Sequence, residues 1–148
     1  MKFRGVVWDS SVLIPLILPR SKSAALYKRL ETTDWFVAVT PAILLEVREK
    51  LETKATLRKW LNLAESDISL FVDELLPALV RVYPGNVSAT GIVLADPDDD
   101  HVVAAALESQ SSYIVSEDRH LLDLGHYQQI SILSRDDFQT ELDRLGIV

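Results

Sequence analysis

The stretch "ADPDDDHVVAAALESQSSYIVSEDRHLL", residues 95–122, sets Asp98, Asp99 and Asp100 in a row at the mouth of an Ala/Val-rich run, and Asp118 follows a short β-like run. Adjacent carboxylates repel one another and raise each other's pKa, and three of them are more than one helix cap requires. A divalent cation removes that cost. Mg²⁺ is held by a few carboxylates and waters and keeps positions open for phosphate oxygens. It makes water a nucleophile at neutral pH, and a second ion can stabilise the leaving oxygen of an in-line displacement. The chemistry expected of such a cluster is Mg²⁺- or Mn²⁺-dependent attack on a phosphate ester.

Two further acidic residues must reach the cluster from a distance. Asp9 closes "FRGVVWD", and Glu46 lies in "TPAILLEVREKL", less than two turns from the start of a helix. Each candidate also has a plain structural reading. Asp9 and Asp118 are good N-caps for the segments that follow them, and Asp99 or Asp100 caps "HVVAAAL". Glu46 flanks the apolar face of Ile43, Leu44, Val47 and Leu51, and periodicity does not separate it from Glu49 or Glu52 on the same helix.

The elements that would bring these residues together alternate along the chain. "FRGVVWD", "DWFVAVT", "VRVYP", "SYIVSE" and "ISILS" read as five short strands. Between them lie the helical pieces "SSVLIPLIL", cut at Pro19, and "SKSAALYKRLET", with Ser21 or Ser23 as cap. "TPAILLEVREKLETK" follows, with Thr40 as cap and Pro41 in the first turn, then "TLRKWLNLAE" and "SDISLFVDELLPAL", with Ser66 as cap. "DHVVAAALESQ", "DRHLLDLG", stopped by Gly125, and "SRDDFQTELDRLG", with Ser134 and Asp137 in capping-box spacing, complete the set. Strands alternating with helices predict one three-layer α/β/α domain over residues 1–148, with a mostly parallel, about five-stranded central sheet. Functional groups of such sheets collect at the carboxyl ends of the strands. Asp9, Glu46, Asp98 to Asp100 and Asp118 all fall at that edge.

Composition narrows the partners. In 148 residues, 48% are apolar and 25% charged, an ordinary globular balance, and no run is long and apolar enough to span a membrane. The opening "MKFRGVVWDSSVLIPLILPR" superficially suggests a leader, but Asp9 interrupts it and no small-residue cleavage site follows, so it is expected to be a buried strand running into a helix. The absence of cysteine removes thiolate chemistry and disulfides and suits the cytoplasm. A net charge of −7 argues against holding nucleic acid by charge neutralisation alone, which makes a cation between carboxylate and phosphate the more necessary.

With these segments in view, the chain resembles a PIN-domain ribonuclease, and among these the toxin components of toxin–antitoxin pairs related to VapC. "VVWDSSVLIPLIL" resembles the family's opening strand and aspartate. "TPAILLEVREKL" is similar to its segment with a helix-borne glutamate. "DPDDDHVVAAAL" with "SYIVSEDRHLL" resembles the paired motif that ends the domain. The resemblance implies an acidic quartet of Asp9, Glu46, Asp100 and Asp118 holding Mg²⁺ or Mn²⁺. Asp100 fits the family's spacing to Asp118 better than Asp99, which stands in reserve. Ser116 matches a small hydroxyl residue before the last aspartate, suited to orienting a carboxylate. Ser11 stands where relatives often carry Asn, and with its shorter reach it implies a supporting role. Arg119 and His120 would lie beside the site within reach of phosphate. The resemblance further implies an RNA substrate, a cognate antitoxin protein and a homodimer. Part of the apolar surface of Leu13, Leu16, Ile17 and Leu26 on the early helices is expected to form a dimer or antitoxin groove, the alternative being that all four are core, and the acidic balance suits a basic antitoxin segment.

Other readings have less support. A PIN-like binding or regulatory module without nuclease activity would not need four carboxylates. Another Mg²⁺-dependent phosphoryl hydrolase of the haloacid-dehalogenase type wants Asp-x-Asp where this chain has Asp9-Ser10-Ser11. A phospho-acceptor receiver wants a late lysine, and none follows Lys59. His101, His120 and His126 do not form an evident acid–base pair for a metal-free ribonuclease.

Overall fold

The computed structural model describes residues 4–94 and 96–147; Phe3, at the start of the first expected strand, and Ala95, in the acidic stretch, lie outside the described residues. Strand β1 (Arg4–Trp8) leads through α1 (Ser10–Leu13) and a 3₁₀ turn (Ile14–Ile17) to α2 (Lys22–Glu31) and β2 (Trp35–Val39). Then follow α3 (Pro41–Thr53), α4 (Ala55–Leu61), α5 (Glu65–Ser69) and α6 (Leu76–Leu79), before the short β3 (Arg81–Val82). A long connection ends in a 3₁₀ turn (Pro97–Asp99) and α7 (Asp100–Ser109). The chain closes with β4 (Tyr113–Val115), α8 (Arg119–Leu124), β5 (His126–Tyr127), β6 (Ile130–Leu133) and α9 (Arg135–Arg144).

The sheet order is β3-β2-β1-β4-β6-β5, parallel except for β5. A sixth short strand, β5, joins the about five expected. His126–Tyr127 pairs antiparallel with the start of β6, His126 opposite Ser131 and Tyr127 opposite Ile130, and two residues are too few to show a period of two in sequence.

Register explains the three layers. Side chains alternate across a strand, so Val6, Trp8, Trp35 and Tyr113 share one face. There Trp8 meets Tyr27 of α2 edge-on at 6.2 Å, and Trp35 and Tyr113 both pack on Phe138 of α9. The opposite face carries Gly5, Val7 and Ala38 and lies under α7, whose Val102, Val103, Ala105 and Ala106 are buried. Small residues let that helix come close. A Cβ added at Gly5 would stand 2.6 Å from Ser111 Oγ, just beyond the end of α7.

Several local expectations hold for stated reasons, and others do not. Ser21 caps α2 by accepting the Ala24 N–H, and Ser134 caps α9 by accepting that of Asp137. Thr40 sits at the N-cap of α3 but makes no capping bond, and α5 begins after Ala64 rather than at Ser66, with Asp67 accepting the Ala64 N–H at 2.8 Å. Between α5 and α6 the helix widens to a π-helical stretch, Leu70–Leu75, just ahead of Pro77. A proline has no N–H for the preceding turn and crowds its carbonyl, which the wider turn relieves. Leu13 and Leu26, expected at a partner surface, are fully buried core residues, while Leu16 and Ile17 are partly buried against the core. Among the described residues no helix is long and apolar enough to cross a membrane.

Candidate metal centre

The carboxyl ends of β1 and β4 lie side by side, and two serines tie them together. Asp9 follows β1, with its backbone extended and its carboxylate turned away from capping α1. Ser11 Oγ donates to Asp9 Oδ1 and Ser116 Oγ to Asp9 Oδ2, both at 2.5 Å. Each serine is used twice: Ser11 Oγ accepts the Glu117 N–H at 2.9 Å, and Ser116 Oγ accepts the Asp118 N–H at 2.8 Å. The serine at position 11 therefore does reach its aspartate. Burial raises the pKa of Asp9 despite these two hydrogen bonds and the charge of Lys50.

Asp118 is the N-cap of α8, accepting the His120 N–H at 2.8 Å. Its capping role and its place at the edge of the site coexist, because a carboxylate has more lone pairs than one cap uses. Glu46, rather than Glu49 or Glu52, is the glutamate of α3 that turns to the cluster. It pairs with Lys50 Nζ and His101 Nε2, each at 3.1 Å, and Lys50 also donates to Ser10 Oγ at 2.7 Å. Burial works against its charge, but the hydrogen bonds and charges of His101 and Lys50 outweigh it and hold Glu46 down to a pKa of about 2.

Asp99 and Asp100 have different surroundings in the structure. Asp100, the residue favoured from the sequence, opens α7 but spends its carboxylate on the preceding loop. It accepts the N–H groups of Gly91 at 2.9 Å, Ile92 at 3.2 Å and Val93 at 2.7 Å. Gly91, at φ +69°, supplies the left-handed backbone that helps three consecutive amides converge on one acceptor. Asp99 is the residue left facing the other acids. It is 5% exposed, makes no capping bond, and one of its oxygens has no hydrogen-bond partner. Burial first, and then the charges of Asp118, Asp96, Glu46 and Asp9, push its pKa up to about 7. The same four acids that raise it are the ones a cation between them would share.

Other residues fall differently from the sequence reading. Arg119 is turned outward, its side chain 91% exposed and 3.9 Å from Asp123, so it does not enter the cluster. Asp98 is exposed and gives its amide to Asp96. Asp96 and His120 enter from outside the expected quartet: Asp96, Asp99 and His120 can each offer one ligand atom with all three within 4.8 Å of one another. Sequence gave a signal for Lys50, four residues after Glu46, but none that Asp96 and His120 would meet.

The residues fit a divalent ion. A buried carboxylate with an orphaned oxygen, surrounded by like charges, is costly as it stands and is relieved by a hard cation with oxygen ligands. No curated protein sequence matches the chain. The model of the family described as PIN domain matches residues 5–120, a span that contains Asp9, Glu46, Asp99 and Asp118. PIN domains are generally metal-dependent nucleases. The match covers well over half of the chain, which therefore belongs to the PIN-domain family.

Proposed function

We propose that the protein is a Mg²⁺- or Mn²⁺-dependent endoribonuclease that cleaves phosphodiester bonds of single-stranded RNA, acting as the toxin of a toxin–antitoxin pair. The observation that carries this reading is the buried Asp99 carboxylate, with its unpartnered oxygen, among Asp9, Glu46 and Asp118. Asp9, Asp99 and Asp118 would hold the ion. When bound, a divalent cation supplies a water-derived nucleophile at neutral pH and offsets charge on the phosphodiester. The chain's own part is positioning. Ser11 and Ser116 fix both oxygens of Asp9, and Lys50 and His101 keep Glu46 ionised beside it. No histidine need act as base, and His101 is already engaged with Glu46.

Support for the toxin role comes from the sequence resemblance, and the cysteine-free composition suits a cytoplasmic protein. A partner antitoxin and a second copy of the chain are expected to use apolar side chains. Leu45 on α3, Trp60 on α4, and Leu70 and Leu75 in the π-helical stretch are exposed and take the place of the buried Leu13 and Leu26 in that reading. The test is cleavage of unstructured RNA by purified protein. Activity should need added Mg²⁺ or Mn²⁺, vanish with EDTA and be lost in Asp99→Asn. Cleavage that survives both EDTA and Asp99→Asn would overturn the reading.

A further inference from the structure

The connection between β3 and α7 is pinned to α7 at two places. Glu108, near the end of the helix, accepts the Gly85 and Val87 N–H groups, each at 3.1 Å, and Asp100, at its start, accepts those of Gly91, Ile92 and Val93. Gly85 also approaches α3, where a Cβ added to it would stand 3.8 Å from Pro41 Cδ. Between the connection, α7 and the start of α3 lies a cavity of about 490 Å³, a size that suits a small ligand. Two residues of its lining carry buried polar atoms with no hydrogen-bond partner among the described residues, Thr40 Oγ1 and His101 Nδ1. Thr40 is 4% exposed and does not cap its own helix, so the fold leaves its hydroxyl unused. His101 Nε2 stands 3.1 Å from Glu46 Oε2. A carboxylate can only accept, so Nε2 carries the hydrogen, and Nδ1 of the neutral ring is an acceptor. Buried polar atoms without partners cost stability, which a ligand supplying those partners recovers.

We propose that this cavity receives a base of the RNA beside the scissile phosphate, and that Thr40 and His101 select guanine there. The proposal rests on the single-stranded RNA reading above and adds to it which base is read. Asp98, Asp100 and Glu108 are the carboxylates of the lining, and like charge turns a phosphate away from them. A neutral ring with N–H donors suits them instead, and the methyl groups of Ala104 and Ala105 add apolar surface for it. One imidazole separates the cavity from Glu46 of the acidic cluster, so a strand held there has a neighbouring base to offer. Unpaired bases are read along their Watson–Crick edges. Guanine presents two adjacent donors there, the ring N–H and the amino group, next to a carbonyl acceptor. His101 Nδ1 and the Asp98 carboxylate accept, and the Thr40 hydroxyl can donate. Adenine, cytosine and uracil each present a single donor group on that edge.

The experiment is an NMR titration of the ¹⁵N-labelled chain with guanosine, inosine, adenosine, cytidine and uridine. Nucleosides carry no phosphate, so neither metal nor cleavage enters the result. Guanosine should shift the amides of Ala42, Gly91 and Ala105 and bind about tenfold tighter than the other four, including inosine, which lacks only the amino group. Thr40→Val removes a hydroxyl that the fold does not use, and Ala42→Phe fills the cavity from an exposed helix position. Both variants should keep the wild-type spectrum elsewhere and lose the guanosine preference. Equal shifts for all five nucleosides, or none at these amides, overturn the proposal. A guanosine preference that survives both variants also overturns it. Mapping the cut ends of a random single-stranded RNA with Mg²⁺ or Mn²⁺ separates the two readings. Guanine enriched beside the cut in the wild type and not in Thr40→Val supports both. Cleavage with no base preference sinks the guanine site alone, whereas no cleavage with either metal, with the guanosine shifts intact, sinks the nuclease and keeps the base site.

Discussion

Ser116 holds Asp9 from the neighbouring strand, its hydroxyl 2.5 Å from Asp9 Oδ2, while the same oxygen accepts the Asp118 amide at 2.8 Å. One fully buried hydroxyl thus sets the distance between two carboxylates that lie 109 residues apart in sequence, from 118 less 9. Ser116→Ala removes that link and leaves a buried acceptor short of a partner. Removing such a support lowers metal affinity by about 10–100-fold. It also costs about 1–3 kcal/mol of stability. Calorimetry with Mg²⁺ and thermal unfolding check the two parts; an unchanged Mg²⁺ affinity would show that Ser116 only fills space.

Asp99 makes stability depend on pH in an unusual direction. Its folded pKa of about 7 lies above the unfolded value of 3.8, so between these pH values the folded protein keeps a proton that the unfolded chain has released. Stability therefore falls as pH rises through this window, and the full penalty is present above about pH 7. Asp9, raised by burial, adds to the same slope. The melting temperature of metal-free protein should decline from pH 5 to about pH 8, and saturating Mg²⁺ should remove most of the decline. Asp99→Asn should raise the metal-free melting temperature at pH 8 and abolish the Mg²⁺ shift.

Asp100 has a different task, visible in a different measurement. Three backbone amides of the loop before it end on its carboxylate. Hydrogen bonds to a charged acceptor contribute about 1.5–3 kcal/mol each, though not additively. Asp100→Ala should speed hydrogen exchange at Gly91, Ile92 and Val93 by at least an order of magnitude. Asp99→Asn should leave those amides protected. The reverse pattern would restore Asp100 to the metal.

The contrast between these two aspartates marks where the sequence stops being legible. Asp9 and Asp118 could be placed because each ends a strand-like run, and parallel strands bring their carboxyl ends to one edge. Neighbouring residues at the mouth of α7, however, point about 100° apart. Which of them faces the acids depends on the Pro97–Asp99 turn and on the amides of residues 91–93, and neither leaves a periodic trace. The Asp96–His120 approach depends on the same folded-back connection. Local rules could not choose between core and partner for Leu13 and Leu26, since an apolar helical stripe looks alike in either case; both are core.

Glu46 provides the last test, because both of its oxygens are already engaged. Lys50 and His101 hold it ionised, and its folded pKa of about 2 lies below the unfolded 4.5. A group lowered in this way contributes stability above its unfolded pKa and loses it as pH falls through the folded one. Glu46→Gln should therefore reduce stability at pH 5 and above, with the difference from wild type closing as pH drops from about 4.5 toward 2. In this arrangement Glu46 positions its neighbours rather than gripping the ion alone. Glu46→Gln should weaken Mg²⁺ binding less than Asp99→Asn does, and lower kcat for RNA cleavage more than it raises KM. Equal losses of Mg²⁺ affinity in the two variants would mean that Lys50 and His101 release Glu46 when the ion enters, and that the glutamate is a direct ligand.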